Sequence, residues 1–136
     1  RILGRRPGQP QRPQGRMNVQ DILDALSSSE IVEEIEVTVL VQEPGRQALR
    51  AVASLKGGYV LHINEALGRD FRRYSYHVQK EAEMVRRWDN APHWPDMETF
   101  PHHLHIESEK NASECREVFV EDVLNEMKSI ITYLGE

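Results

Sequence analysis

The chain has 136 residues, enough for one domain that buries roughly 65–70% of its unfolded surface without disulfides or metal. No apolar run approaches the ~20 residues of a membrane span, which excludes that class. The formal charge of −5 is uneven: residues 1–16 hold five arginines and no acid, leaving 12 basic against 22 acidic residues, a charge of −10, in the rest. A body that acidic is unsuited to broad nucleic-acid binding, which draws on many phosphate contacts. Any nucleic-acid chemistry must therefore sit at a small local cluster.

Residues 1–16 carry Pro7, Pro10 and Pro13, with Ile2 and Leu3 as the apolar residues. Such a stretch cannot offset its ordering entropy and reads as a disordered basic tail or a non-native leader. It lacks the apolar core of a secretory signal. The pattern of a folded domain begins at Met17, so residues 17–136 are read as a single domain.

Asn18 can cap a short helix that lines up Val19, Ile22, Leu23 and Leu26, ended by Ser27-Ser28-Ser29. Residues 31–42 alternate, with Ile35, Val37, Val39 and Val41 facing one way and Glu34, Glu36 and Thr38 the other, which predicts a half-buried strand. Pro44-Gly45 turns the chain into a second strand over 47–56, and Gly57-Gly58 is a hairpin signal into Tyr59–Ile63. Residues 71–78 and 84–89 predict two more strands. Pro92, Pro95 and Pro101 then forbid regular pairing, and His102–Ile106 predicts a short final strand. Val120, Val123, Leu124, Met127, Ile130, Ile131 and Leu134 recur at helical spacing. The expected fold is α+β: an antiparallel sheet of five to six strands packed against a long C-terminal helix, with a short N-terminal helix.

No Gly-rich phosphate loop, Cys-x-x-Cys pair or Gly-x-Ser-x-Gly elbow is present. The single cysteine, Cys115, excludes an intramolecular disulfide, fits a reducing compartment and has no histidine near it in sequence. Chemistry-bearing residues gather instead between Arg72 and Ile106, which holds five of the six histidines: His77, His93, His102, His103 and His105. On an extended chain His103 and His105 project to one face and His102 to the other, with Leu104 and Ile106. Two such imidazoles can share a metal, with Asp89 or His93 as third donor, or divide acid and base roles. No cysteine pair or Glu-x-x-His helix supports the first option, so no metal or cofactor is assigned.

Cleavage of RNA needs a base for the 2′-hydroxyl, an acid for the leaving oxygen and cations for the phosphate. His77, His103, His105, Arg86 and Arg87 are of those types. A hairpin centred on Glu81-Ala82 sets His77 opposite Arg86 and Tyr76 opposite Arg87, and a one-residue slip would exchange the faces. Tyr74 and Tyr76 read either as core aromatics or as a stacking surface for a base. Asp89 reads either as a turn former beside Asn90 or as a carboxylate that orients a histidine. Trp88 reads as core.

Three ordered motifs carry a family resemblance: Tyr74-Ser75-Tyr76-His77, Arg87-Trp88-Asp89-Asn90-Ala91-Pro92-His93 and Thr99-Phe100-Pro101-His102-His103-x-His105. They resemble the TumE family of prokaryotic toxin–antitoxin proteins, with similarity in layout over roughly residues 30–134. Two positions depart from the family pattern: Trp94, where a second histidine is usual, and Leu104, where a basic residue is common. The resemblance implies a small cytoplasmic toxin encoded beside an antitoxin, usually one with a helix-turn-helix domain.

The leading reading is a type II toxin that cleaves RNA without metal. His77, His103, His105 and Asp89 are its catalytic candidates, and Arg86, Arg87, Tyr76, His93 and His102 its substrate-binding candidates. The alternative is a non-enzymatic antitoxin-binding or structural-metal module, or an inactive relative. Expected partners are the antitoxin, RNA as substrate and, through exposed strand edges, a second copy; no membrane is expected.

Overall fold

Among the described residues, seven strands follow one another in chain order and pair in that same order, each antiparallel to the next, in a single sheet. A computed structural model describes residues 18–92, 97, 99–108, 110 and 112–135; the expected tail at 1–16 and the candidate His93 lie outside them. The strands are β1 (Val32–Glu43), β2 (Arg46–Leu55), β3 (Tyr59–Gly68), β4 (Arg72–Lys80), β5 (Glu83–Asp89), β6 (His103–Ile106) and β7 (Ala112–Glu114). Helix α1 (Val19–Ser28) precedes them and α2 (Val120–Gly135) follows.

Local chemistry explains the boundaries. The Asn18 side chain accepts the Asp21 N–H at 3.0 Å and caps α1. The Asp122 carboxylate accepts the Phe119 N–H at 2.8 Å at the start of α2, where acidic residues also suit the helix dipole. Gly57 and Gly58 have φ of 81° and 84°, a left-handed conformation that glycine adopts without steric cost, and they turn β2 into β3.

Both helices lie on one face of the sheet. Val19, Ile22 and Leu26 of α1 and Val120, Val123 and Met127 of α2 join Leu49, Ala53, Leu61, Ile63, Tyr76, Val78 and Trp88 in one buried core. Removing a fully buried member such as Leu61 would cost about 2–5 kcal/mol. No helix among the described residues is long and apolar enough to cross a membrane.

Three expectations need correction. The sheet has seven strands, not five to six, because Ala112–Glu114 adds a three-residue strand to β6, too short to show alternation. The N-terminal strand is not half-buried along one face. A bulge between Val37 and Val39 puts Val37 opposite Ala51 and Val39 opposite Arg50, so the two valines occupy opposite faces. As the outermost strand, β1 also leaves Val37 41% and Val39 39% exposed.

The third correction fixes the site. The turn at Glu81-Ala82 does pair Lys80 with Glu83 and Gln79 with Met84, but Val78 then pairs with Arg86 because a bulge at Val85 adds one residue to β5. His77 therefore faces Arg87 and Tyr76 faces Trp88, one residue away from the simple hairpin register. That single residue sends Arg87 to the helix-free face and Arg86 to the helix-covered one.

Candidate functional site

Side chains directly opposite one another across paired strands share a face, so the register reads out two rows on the helix-free side. The first runs His62–His77–Arg87–His105 across β3 to β6. The second, alongside it, runs Arg50–Asn64–Ser75–Asp89–His103 across β2 to β6.

The rows are joined at Asp89. Its Oδ2 accepts Arg87 Nε at 2.9 Å, and its Oδ1 lies 2.8 Å from His103 Nε2 and accepts the Ala91 N–H at 3.0 Å. His105 Nε2 stands 3.7 Å from Oδ2. The other ring nitrogen of His103 lies 3.0 Å from the Pro101 carbonyl oxygen, so that ring is fixed from both ends. His103 and His105 meet edge to face with ring centroids 4.9 Å apart. Further along, Arg87 Nη1 is 3.3 Å from His77 Nδ1, and the His77 and His62 rings are 6.0 Å apart.

Accessibility divides this cluster. Asp89, His103 and His105 are buried at 4%, 2% and 5% exposure, whereas His77 and Arg87 are partly open to solvent. Asp89 and His103 can hold and orient, the open pair can touch a ligand, and His105 lies buried directly beside that pair. Ligand atoms of Asp89, His103 and His105 all lie within 4.8 Å of one another, so these three residues could also hold a divalent cation. A histidine that gives one nitrogen to a backbone carbonyl and directs the other inward is the usual posture of a metal ligand.

The remaining candidates are placed elsewhere. Tyr76 is completely buried on the helix side, and its hydroxyl hydrogen-bonds the buried Glu65, which also takes Arg72 at 2.7 Å. Burial and then the Glu65 charge push the Tyr76 phenol well above its ordinary pKa. Burial opposes the Arg72 charge, but the hydrogen bonds and charge of Glu65 outweigh it and hold the guanidinium protonated. Arg86 also lies on the helix side, 3.7 Å from Glu126.

His102 stacks on Tyr74, with Nδ1 2.9 Å from the Tyr74 hydroxyl. Burial pushes the Tyr74 phenol up and the His102 imidazole down, so the hydroxyl donates and the neutral imidazole accepts. Tyr74 and Tyr76 are thus core aromatics, and Trp88 joins them. Burial raises the Cys115 thiol pKa, which keeps it in the less nucleophilic form. Asn90 is more than a turn former. Its buried amide accepts the Tyr74 N–H at 2.9 Å and donates to the Arg72 carbonyl at 2.6 Å, tying the end of β5 to β4.

Of the nine candidates, then, His77, Arg87, Asp89, His103 and His105 come together on one face, Tyr76, Arg86 and His102 lie on the other, and His93 is outside the described residues. Sequence reasoning passed over His62, Arg50 and Arg73. The signal was available, since each alternates with a buried apolar or aromatic neighbour, but its meaning depends on which strands pair.

A family model described as toxin TumE matches residues 21–131. Searches of curated proteins and of solved structures each found no match.

Proposed function

The chain belongs to the TumE toxin family, and from that premise we propose that its toxic act is metal-independent cleavage of RNA. The observation that carries this is the row His77–Arg87–His105, in which two imidazoles flank a guanidinium on three adjacent strands. Strands lie ~4.8 Å apart, so the two histidines arise from backbones roughly 10 Å apart with the cation between them. In-line displacement at phosphorus asks for that order. One group takes the proton of the attacking 2′-hydroxyl, a cation holds the charged phosphorane, and a group opposite protonates the departing 5′-oxygen.

In this reading the 2′-oxygen–phosphorus bond forms as the phosphorus–5′-oxygen bond breaks, leaving a 2′,3′-cyclic phosphate and a free 5′-hydroxyl. His77 and His105 exchange the protons, and Arg87 binds the phosphate. Asp89 and His103 act through them: the carboxylate holds the Arg87 fork and faces the His105 ring, and His103 holds the carboxylate. Arg87 supplies positive charge beside Asp89 Oδ2, the position a metal would otherwise serve, which supports the metal-free route.

The toxin is read as one half of a type II pair, neutralised by a helix-turn-helix antitoxin. The outer strand β1, with Leu40 45% exposed, is the edge to which the antitoxin or a second copy would add a strand.

The test is controlled expression of the chain and its His77→Ala, His105→Ala and Arg87→Ala versions, following growth, RNA integrity and fragment ends. The unaltered chain should arrest growth and yield fragments ending in cyclic phosphate. Each histidine variant should cleave about 10²–10⁴-fold more slowly. Arrest with intact RNA, or full toxicity in all three variants, would refute the nuclease reading.

A further inference from the structure

A concavity of about 410 Å³ opens on the helix-free face beside Asp89, within the size range of small-ligand sites. Its origin lies in side-chain length. Ala48, Ala66 and Ser75 are small residues of adjacent strands and form a floor, and the long arms of Arg50, Arg73 and Arg87 stand around it. Val39 reaches this wall because of the bulge in β1 that moves it off the helix side. Glu65 also borders the concavity, but its carboxylate is engaged with Arg72 and Tyr76 on the helix side.

We infer that this concavity binds one nucleotide of a single-stranded RNA, the unit flanking the phosphate held at Arg87. The inference deepens the RNA-cleavage reading and rests on it for the choice of ligand. Three features support it. Arg50 and Arg73 have no carboxylate partner among the described residues, although the domain around them is strongly acidic. A guanidinium without a carboxylate partner among the described residues of such a domain is a site for an external anion, and its planar fork suits phosphate. Arg50 is moreover held in place, its Nε donating to Asn64 Oδ1 at 2.8 Å.

The floor also fits. Small side chains on an open sheet offer a flat seat for a base, and guanidinium planes can stack on one. A duplex would hold its bases away from such a floor, so a single strand is the ligand. Arg87 is shared between this concavity and the His77–His105 row, which sets the bound nucleotide next to the reacting phosphate.

The test uses a labelled 2′-O-methyl RNA hexanucleotide, which lacks the attacking hydroxyl and cannot be cleaved by the proposed route. Its anisotropy is measured against the full chain, the doubly substituted Arg50→Gln/Arg73→Gln variant and Arg86→Ala. Arg50 and Arg73 are solvent-exposed, so the double variant should keep the unaltered chain's urea midpoint. Its Kd should rise at least tenfold, and the slope of log K against log salt should fall by about 0.7, the share of the one further phosphate that this nucleotide carries on a single strand. Arg86→Ala, on the helix-covered face, should bind as the unaltered chain does.

Unchanged affinity and salt slope in the double variant overturn the inference, as does failure of the unaltered chain to bind, or equal binding of an RNA duplex. Arginine-dependent binding without cleavage of ordinary RNA would leave the nucleotide site standing and remove the nuclease reading. Cleavage with binding untouched by the double substitution would do the reverse.

Discussion

Replacing Asp89 by alanine is the most informative single perturbation. The side chain is 5% exposed and takes Arg87 Nε at 2.9 Å, His103 Nε2 at 2.8 Å and the Ala91 N–H at 3.0 Å. A hydrogen bond to a charged group contributes about 1.5–3 kcal/mol, so three set a ceiling of roughly 5–9 kcal/mol. Two effects reduce it. The Arg87 side chain is 29% exposed and can recover water, and bonds that share one carboxylate are not additive.

The expected loss is therefore the one measured for breaking a buried pair, about 3–5 kcal/mol. That is a fifth or more of the stability of an ordinary domain, about 5–15 kcal/mol in total. Urea unfolding should show a lower midpoint with an unchanged slope. A double-mutant cycle with His103→Leu should then return a coupling of about 1–3 kcal/mol. A loss below about 1 kcal/mol, or additivity within about 0.5 kcal/mol, would refute the view of Asp89 as the hub of the two rows.

Arg86→Ala should leave RNA cleavage within twofold and cost about 1 kcal/mol or less, because the side chain meets a half-exposed Glu126 on the far face; a large loss of cleavage would contradict the register. Dialysis against a chelator should change neither cleavage nor melting temperature, and cleavage lost to the chelator and restored by zinc would replace the metal-free mechanism with a metal site at Asp89, His103 and His105. Burial holds the His102 pKa below its ordinary value, so between the folded and unfolded values the unfolded chain binds more protons and stability rises with pH. Melting temperature should consequently fall on acidification through that window, and His102→Phe should remove this component; an unchanged pH profile in the variant would contradict the half-buried neutral imidazole.

Much of the architecture was legible because it is written in local periodicity. The 3.6-residue spacing of Val120, Val123, Leu124 and Met127, the Asn18 cap and the alternation of Leu49, Ala51, Ala53 and Leu55 each need only near neighbours to be read. The extended pattern after Pro101 likewise separated His103 and His105 from His102 before any contact was known. The strand at Ala112–Glu114 was not legible, since three residues carry no period and its reason for existing is the edge of β6.

The amino-acid order by itself determined which residue types were at hand, that they crowd between Arg72 and Ile106, and that a run of strands lies between a short helix and a long one. Only the folded sheet decided which of those residues meet. One inserted residue at Val85 and another at Thr38 exchange the faces of everything beyond them, because strand side chains alternate with a period of two. A bulge leaves no mark in composition, and its position depends on hydrogen bonds to a neighbouring strand. For that physical reason Arg87 rather than Arg86 stands between His77 and His105, while the unbroken pairing of β2, β3 and β4 brings Arg50 beside a site far from it in sequence.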